Sequence, residues 1–306
     1  MSEDTYVHTA VLMGTVVRIE VVGYGATAEQ QAERRRGAER ALEWFRQVET
    51  CCSRFDPQSE LRQLTERVGV AVPVSDMLLE AVRFALALAE ETDGAFDPTV
   101  GHRMERRGFD QHYRTRRPTR TKIKPDKNVS YRDVRIDESA RAITLLRPLV
   151  LDLGAVAKGL AVDMAARELS PFENFAIDAG GDLYLGGHNA SGEPWSVGIR
   201  HPRDEHSLLD TLRVSNTAVC TSGDYEKRAE SHDGGGGHHI IDGRTGTSPS
   251  TAASVTVVAP LAIVADGLAT AAFIVGPTQG LALLERHGVK GLIMTPSLER
   301  FVTRDA

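Results

Sequence analysis

With 306 residues, 41% of them hydrophobic and 25% charged, the chain can bury one large core or two smaller cores packed together, which excludes disorder over most of its length. A net charge of −6 excludes a general attraction to nucleic-acid phosphates or anionic lipid. Three cysteines, adjacent Cys51 and Cys52 and distant Cys220, form neither a disulfide framework nor a zinc-ligand spacing, and they read as reduced thiols of a cytoplasmic protein.

The amino end, MSEDTYVHTAVLMGTVVRIEV, opens acidic and alternates as a strand does, without the basic start and apolar stretch of an export signal. The β-branched run over residues 11–22 predicts a strand, and apolar residues at helical spacing over 28–48 predict a helix. Phe55-Asp56-Pro57 marks a turn, after which Ser59-Glu60-Leu61 starts a short helix. A second helix follows over 75–91, with a cap at Ser75 or Asp76 and a stop at Thr92-Asp93-Gly94.

Residues 102–135 break this pattern. Arg103, Arg106, Arg107, Arg114, Arg116, Arg117, Arg120, Lys122, Lys124 and Lys127 stand among few apolar side chains, as in a basic loop or insertion. Such a stretch is a solvated excursion or a contact for an acidic partner or a nucleotide phosphate; with aromatics confined to Phe109 and Tyr113, nucleic acid is not expected.

Beyond it, strand-like 143–153 runs into helical 154–170, then strand-like 175–187 and 195–202. A glycine-rich flexible loop is expected over 231–237, a strand over 253–259, an apolar helix over 261–276 stopped before Pro277, and a last helix and strand over 279–303. The longest apolar candidate for a membrane span, 252–274, is broken by Thr256, Pro260 and Asp266, so no membrane segment is expected. No repeat or clean linker divides the chain. An α+β fold is predicted, with residues 1–306 as one catalytic unit of two intimately packed lobes.

Five clusters suit chemistry. Asp266 and Thr270, four apart on the apolar helix, present a carboxylate and a hydroxyl on one face, hard oxygen donors of the kind Mg²⁺ takes. A solvent-side pair is the plain alternative, but a helix this apolar is buried, where a carboxylate needs a cation or donors. Asp152 to Gly159 turns from a strand end into a helix, whose free amides welcome a pyrophosphate beside Lys158; the plain alternative pairs Lys158 with Asp163. Thr92 to Thr99 packs two acids and a proline into a short connection, and Ala179-Gly180-Gly181-Asp182 permits close backbone approach or simply a hairpin turn. His238-His239-Ile240-Ile241-Asp242-Gly243 offers an imidazole as general base, with zinc bound by His232, His238 and His239 as a competing idea.

Taken in order, Met13-Gly14-Thr15, Ser53-Arg54-Phe55-Asp56-Pro57, Thr92 to Asp97, Asp152 to Gly159, Ala179 to Asp182, Thr221-Ser222-Gly223-Asp224-Tyr225, His239 to Asp242 with Thr245-Gly246, and Ala265-Asp266 with Ala269-Thr270 resemble the FAD:protein FMN transferase family, the ApbE-like flavin transferases. The resemblance runs from about Met13 to Thr270. It implies a flavin held between two lobes and Mg²⁺ bridging the protein to the FAD pyrophosphate. Flavin-contacting positions would be Met13, Phe55, Ala95, Phe96, Asp97, Asp152, Lys158 and Ile241. Metal positions would be Asp266 and Thr270, with the Ala155 carbonyl and with Ala269, which stands where the family sometimes has an acid.

His239 would be the base for an acceptor threonine or serine hydroxyl attacking the FMN-side phosphorus, with AMP leaving. Gly243 replaces the family's usual proline, a change expected to loosen the loop holding His239. The basic stretch lies outside the shared pattern, where it would select the acceptor protein, which is expected to be cytoplasmic or to face the cytoplasm. An FAD pyrophosphatase using the same metal, or a flavin-binding module that cleaves nothing, are the rival readings.

Overall fold

The computed structural model describes residues 5–23, 27–126, 128–226 and 237–304. The amino-terminal alternation is a hairpin rather than one strand: β1 (Tyr6–Leu12) returns as β2 (Thr15–Val21), with Leu12 paired to Thr15. Met13 and Gly14 make the two-residue turn at φ 51° and 77°. Positive φ at both positions is what lets so short a loop follow the strand twist. A methionine there gives no turn signal, which is why the sequence reads through it.

Helix α1 (Ala28–Cys52) starts at a capping box in which Thr27 Oγ1 accepts from Gln30 N at 3.2 Å. Ala38, Ala41, Leu42, Phe45 and Val48 fall at three- and four-residue steps on its buried face. Burying a side chain such as Phe45 contributes about 1.5–3 kcal/mol. The helix outruns the expected end at 48 because Cys51 and Cys52 continue that face into the core. Ser59 and Ser75 cap α2 (Glu60–Thr65) and α3 (Asp76–Glu91), accepting from Arg62 N at 3.1 Å and Leu78 N at 3.2 Å.

Strands β3 (Val72–Pro73), β4 (Val134–Asp137) and β5 (Ala142–Leu145) form a small antiparallel sheet in the order β3-β5-β4. The run over 143–153 therefore ends as a strand at Leu145. Pro148 cannot donate to a ladder, and the chain rejoins structure only where Val150 bridges Val100. The basic stretch is not a bare excursion. It opens as helix α4 (Gly101–Arg106), buries Met104, Glu105 and Asp110, and is tied down by Arg120 Nε on Asp110 Oδ2 at 2.5 Å and by Arg62 Nη1 on Thr119 O at 2.7 Å. Lys127 lies outside the described residues.

The rest of the chain comprises α5 (Ala157–Leu169), β6 (Phe175–Ala179), β7 (Leu183–Gly186), β8 (Trp195–Arg200), β9 (Leu208–Val214), β10 (Thr217–Gly223), β11 (Ser254–Ala259), α6 (Ala262–Val275), α7 (Pro277–Arg286), β12 (Lys290–Met294) and β13 (Arg300–Val302). An eight-stranded antiparallel sheet runs β1-β2-β6-β7-β10-β11-β12-β13. The stretch 175–187 is a hairpin, turning at Gly180 and Gly181 with φ of 70° and 98°. Val17, Ile19, Val255 and Val257 face a helical layer containing α1, α5 and α6, in a core shared with the small sheet. Val22, Ala176, Leu185 and Val219 face Trp195 of the β8–β9 hairpin, whose Nε1 donates to Gly186 O at 2.9 Å. With both faces covered, β11 is buried at every position but Val258.

The α+β class is as the sequence predicts. Among the described residues no helix is long and apolar enough to cross a membrane. The glycine loop and His232 fall outside the described residues, apart from Gly237.

Candidate functional site

Two helix starts and the strand ends beside them build the site. Helix α5 begins within the Asp152–Gly159 segment, at Ala157, and the Gly159 amide in its first turn donates to Asp266 Oδ2 at 3.2 Å. Asp266 is 4% exposed, and burial raises its carboxyl above the usual range, while the Lys158 ammonium pulls the other way. Thr270, one turn along α6, shares a hydrogen bond with Ser222 Oγ on β10 at 2.9 Å. Lys158 pairs with buried Asp182, just past the glycines of the β6–β7 hairpin, and not with Asp163. Asp163 instead accepts from Ala262 N at 2.7 Å and Ile263 N at 2.9 Å.

Charge is out of balance here. Among the described residues Lys158 pairs with Asp182 and also acts on Asp266, while Asp163 feels the charge of Asp266 with no cation beside it, and a buried surplus of carboxylates favours a cation. Among the described residues no group of three His, Cys, Asp or Glu side chains could hold a metal ion. Any cation at Asp266 would therefore complete its shell with hydroxyl, carbonyl, phosphate and water oxygens, which is the habit of Mg²⁺ and not of zinc. Ala155 is half-buried at the same turn. Ala269 is fully buried and has no side-chain oxygen to give. The zinc idea also loses His238, which hydrogen-bonds Pro249 O through Nε2 at 2.8 Å and packs edge-on to Phe273.

A second set of contacts leads from this turn to His239. Asp152 Oδ2 accepts from Arg54 Nε at 2.5 Å, and its Oδ1 accepts from Gly154 N at 2.8 Å. Arg54 is itself buried, stacks over the Phe55 ring at 4.1 Å, and donates through Nη2 to Phe109 O. The Phe109 ring meets His239 edge-on with centroids 6.5 Å apart. Phe55 and Asp152 are thus gathered around one guanidinium, and His239 is reached from it through Phe109. The two histidines separate in role, His238 inward and His239 half-buried at the edge.

Ala95, Phe96 and Asp97 are all buried. Asp97 accepts from Thr99 N at 2.8 Å, Thr99 Oγ1 at 2.7 Å and Tyr131 N at 3.0 Å, yet burial still outweighs these bonds and raises its carboxyl. This segment touches the loop of Ile241 through Gly243, whose amide donates to Ala95 O at 2.8 Å and whose carbonyl accepts from Arg103 Nη1 at 2.6 Å. The expectation that Gly243 loosens the loop is therefore corrected: the glycine is held from both sides. A Cβ there would lie 2.5 Å from Gly94 O and from Asp97 Cβ. Gly243→Pro removes the donor and inserts a ring into that contact; it is expected to destabilise the fold by about 2–4 kcal/mol, read from urea denaturation.

Met13 reaches the others less directly. Its amide donates to Glu49 Oε1 at 3.2 Å, and Glu49 Oε2 accepts from Arg114 Nη2 at 3.3 Å. Tyr113 lies over Gly14, with its hydroxyl pushed up to about 12 by burial and then by Glu49. The basic stretch thus closes over the hairpin tip that carries Met13.

The sequence pattern of the ApbE family matches residues 13–293. The chain belongs to the ApbE family. Relatives include an FAD:protein FMN transferase of Salmonella typhimurium, 31% identical over 95% of this chain and 84% of that protein. Another, from Haemophilus influenzae, is 27% identical over 96% of this chain and 87% of that protein. Among solved structures, the ApbE protein of Thermotoga maritima superposes with a TM-score of 0.85 at 30% identity, covering 99% of this chain and 98% of that one. The flavin transferase ApbE of Vibrio cholerae gives 0.82 at 25% identity, covering 99% and 98%.

Against this ApbE framework, sequence reasoning missed Arg54 as the partner of Asp152, Asp182 as the partner of Lys158, and Asp163 as the cap of α6. One signal was available. Val156 and Leu261 stand at the N-caps of α5 and α6, and neither side chain can accept a hydrogen bond, so side-chain acceptors had to come from elsewhere.

Proposed function

We propose that the chain is a Mg²⁺-dependent FAD:protein FMN transferase that moves FMN from FAD to a threonine or serine hydroxyl of an acceptor protein and releases AMP. The observation that carries this reading is the buried carboxylate of Asp266 at the amino end of α5, with more negative charge around it than Lys158 offsets. The relatives' activity, transfer of FMN from FAD to protein, agrees with it.

Asp266 and Thr270, with the Ala155 carbonyl, would hold the cation. A bound Mg²⁺ would supply charge neutralisation for the diphosphate oxygens. Lys158, in the first turn of α5, would orient the diphosphate at the amino end of that helix. Met13, Phe55, Ala95, Phe96, Asp97, Asp152 and Ile241 would line the flavin half. His239 takes the proton from the acceptor hydroxyl as its oxygen bonds to the FMN phosphorus, and AMP departs with the bridging oxygen. All three cysteines are free and buried, which suits a reducing compartment and supports a cytoplasmic acceptor.

The test is incubation with FAD, Mg²⁺ and a threonine-bearing acceptor. AMP should appear together with an acceptor heavier by one FMN group. AMP without labelled acceptor would make the chain an FAD pyrophosphatase, and flavin binding without AMP would make it a binding module.

A further inference from the structure

Helices α5 and α6 cap each other. Each starts at a residue without a side-chain acceptor, Val156 or Leu261, and each receives a carboxylate from the other helix. Asp266 of α6 accepts from the Gly159 amide at 3.2 Å. Asp163 of α5 accepts with its two oxygens from two successive amides of α6, Ala262 at 2.7 Å and Ile263 at 2.9 Å. Between these clasps the helices touch backbone to backbone: a methyl on Gly159 would lie 2.5 Å from Ala262 O and 2.6 Å from Ile263 Cα.

Gly159 and Asp163 are one turn apart on α5, and Ala262 and Asp266 one turn apart on α6, so the two clasps fix both the height and the rotation of one helix on the other. A single hydrogen bond would allow pivoting; two oxygens on adjacent amides do not. The Asp163 carboxyl is pushed up to about 6, by burial first and then by the charge of Asp266, against the pull of the two amides. A carboxyl raised on folding costs the folded state free energy at pH above its unfolded value, and the cost is relieved as pH falls through about 6. The charge is thus kept near another carboxylate where it does not favour the fold, which points to a role in placement.

On the reading of Asp266 and Thr270 as cation ligands, we propose that Asp163 is a positioning residue for that site, its carboxylate on the Ala262 and Ile263 amides setting where α6 holds Asp266 and Thr270 against the amino end of α5. Asp163 need not touch substrate or cation for this.

The experiment is titration of FAD, followed by flavin fluorescence in EDTA and in Mg²⁺, for wild type, Asp163→Ala and Asp163→Asn. Wild type should bind FAD about tenfold or more tightly with Mg²⁺, and Asp163→Ala should lose most of that gain, since groups that orient metal ligands typically change metal affinity by about 10–100-fold. In EDTA all three should bind FAD alike. Asp163→Asn, whose one oxygen can accept from one of the two amides, should fall between. Asp163→Ala with the full wild-type gain overturns the proposal, as does an equal loss in EDTA and in Mg²⁺, which marks a merely structural role. If Asp163→Ala does not fold, Asp163→Asn decides on the same criteria. A wild type without any Mg²⁺ gain overturns the cation reading itself, and this inference with it.

Discussion

Asp266→Ala is expected to remove Mg²⁺-dependent release of AMP from FAD, with a fall of about 10²–10³-fold or more, while the chain stays folded. The size follows from the place of the carboxylate. It is buried, it lies at the amino end of α5, and its cationic neighbour, Lys158, is already paired with Asp182. Alanine leaves no oxygen at that position, and Thr270 alone is a neutral donor. The effect on stability runs the other way from the usual loss of a buried partner. The variant gives up one bond from Gly159 N, worth about 1 kcal/mol, or about 1–3 if that amide is left unsatisfied. It also removes a carboxylate that burial disfavours, since its raised carboxyl marks a cost to the fold at neutral pH that is relieved as pH falls. The melting temperature at neutral pH should therefore change little. Measuring AMP release across a Mg²⁺ series beside the melting curve separates the two effects. Mg²⁺-dependent turnover at the wild-type rate in this variant would end the cation assignment.

What the sequence made legible follows from the range of the interactions involved. Helices α1 and α3 announce themselves through apolar periodicity and nearby caps, and Ser75 does what its position predicts. The Asp266 and Thr270 pair is likewise local, one turn on a single helix. The hairpin at Met13-Gly14 is also local, yet it was missed because methionine at φ 51° carries no compositional sign. Pairings across the chain were read least well. The plain alternative for Lys158, a pair with Asp163, rests on nearness in sequence alone, although residues five apart do not share a helix face. Its partner, Asp182, arrives through the β6–β7 turn, and only the sheet brings it there. Gly243 misled for a related reason. Its departure from the family's proline suggests freedom, but its freedom is removed by Ala95 and Arg103, both more than a hundred positions away in the chain. The basic stretch hid its role in the same way, since net charge conceals that Phe109 links Arg54 to His239.

His239→Ala is expected to slow FMN transfer by about 10²–10⁴-fold, the range a well-placed general base contributes, with FAD affinity nearly unchanged. The structural reason for expecting a split between rate and binding lies in what surrounds the ring. The flavin-side positions proposed above belong to other elements: Phe55 and Asp152 are ordered by Arg54, and Asp97 by Thr99 and Tyr131. His239 touches this set at its margin, through the edge of Phe109. Its neighbour His238 anchors the loop independently by its bond to Pro249 and its packing on Phe273, so removing the outer imidazole leaves the loop in place. Single-turnover transfer measured against pH should lose its acidic limb in the variant, because the base proposed above is gone. If the variant keeps the limb and the rate and only binds FAD more weakly, His239 is a binding residue and the proton goes elsewhere.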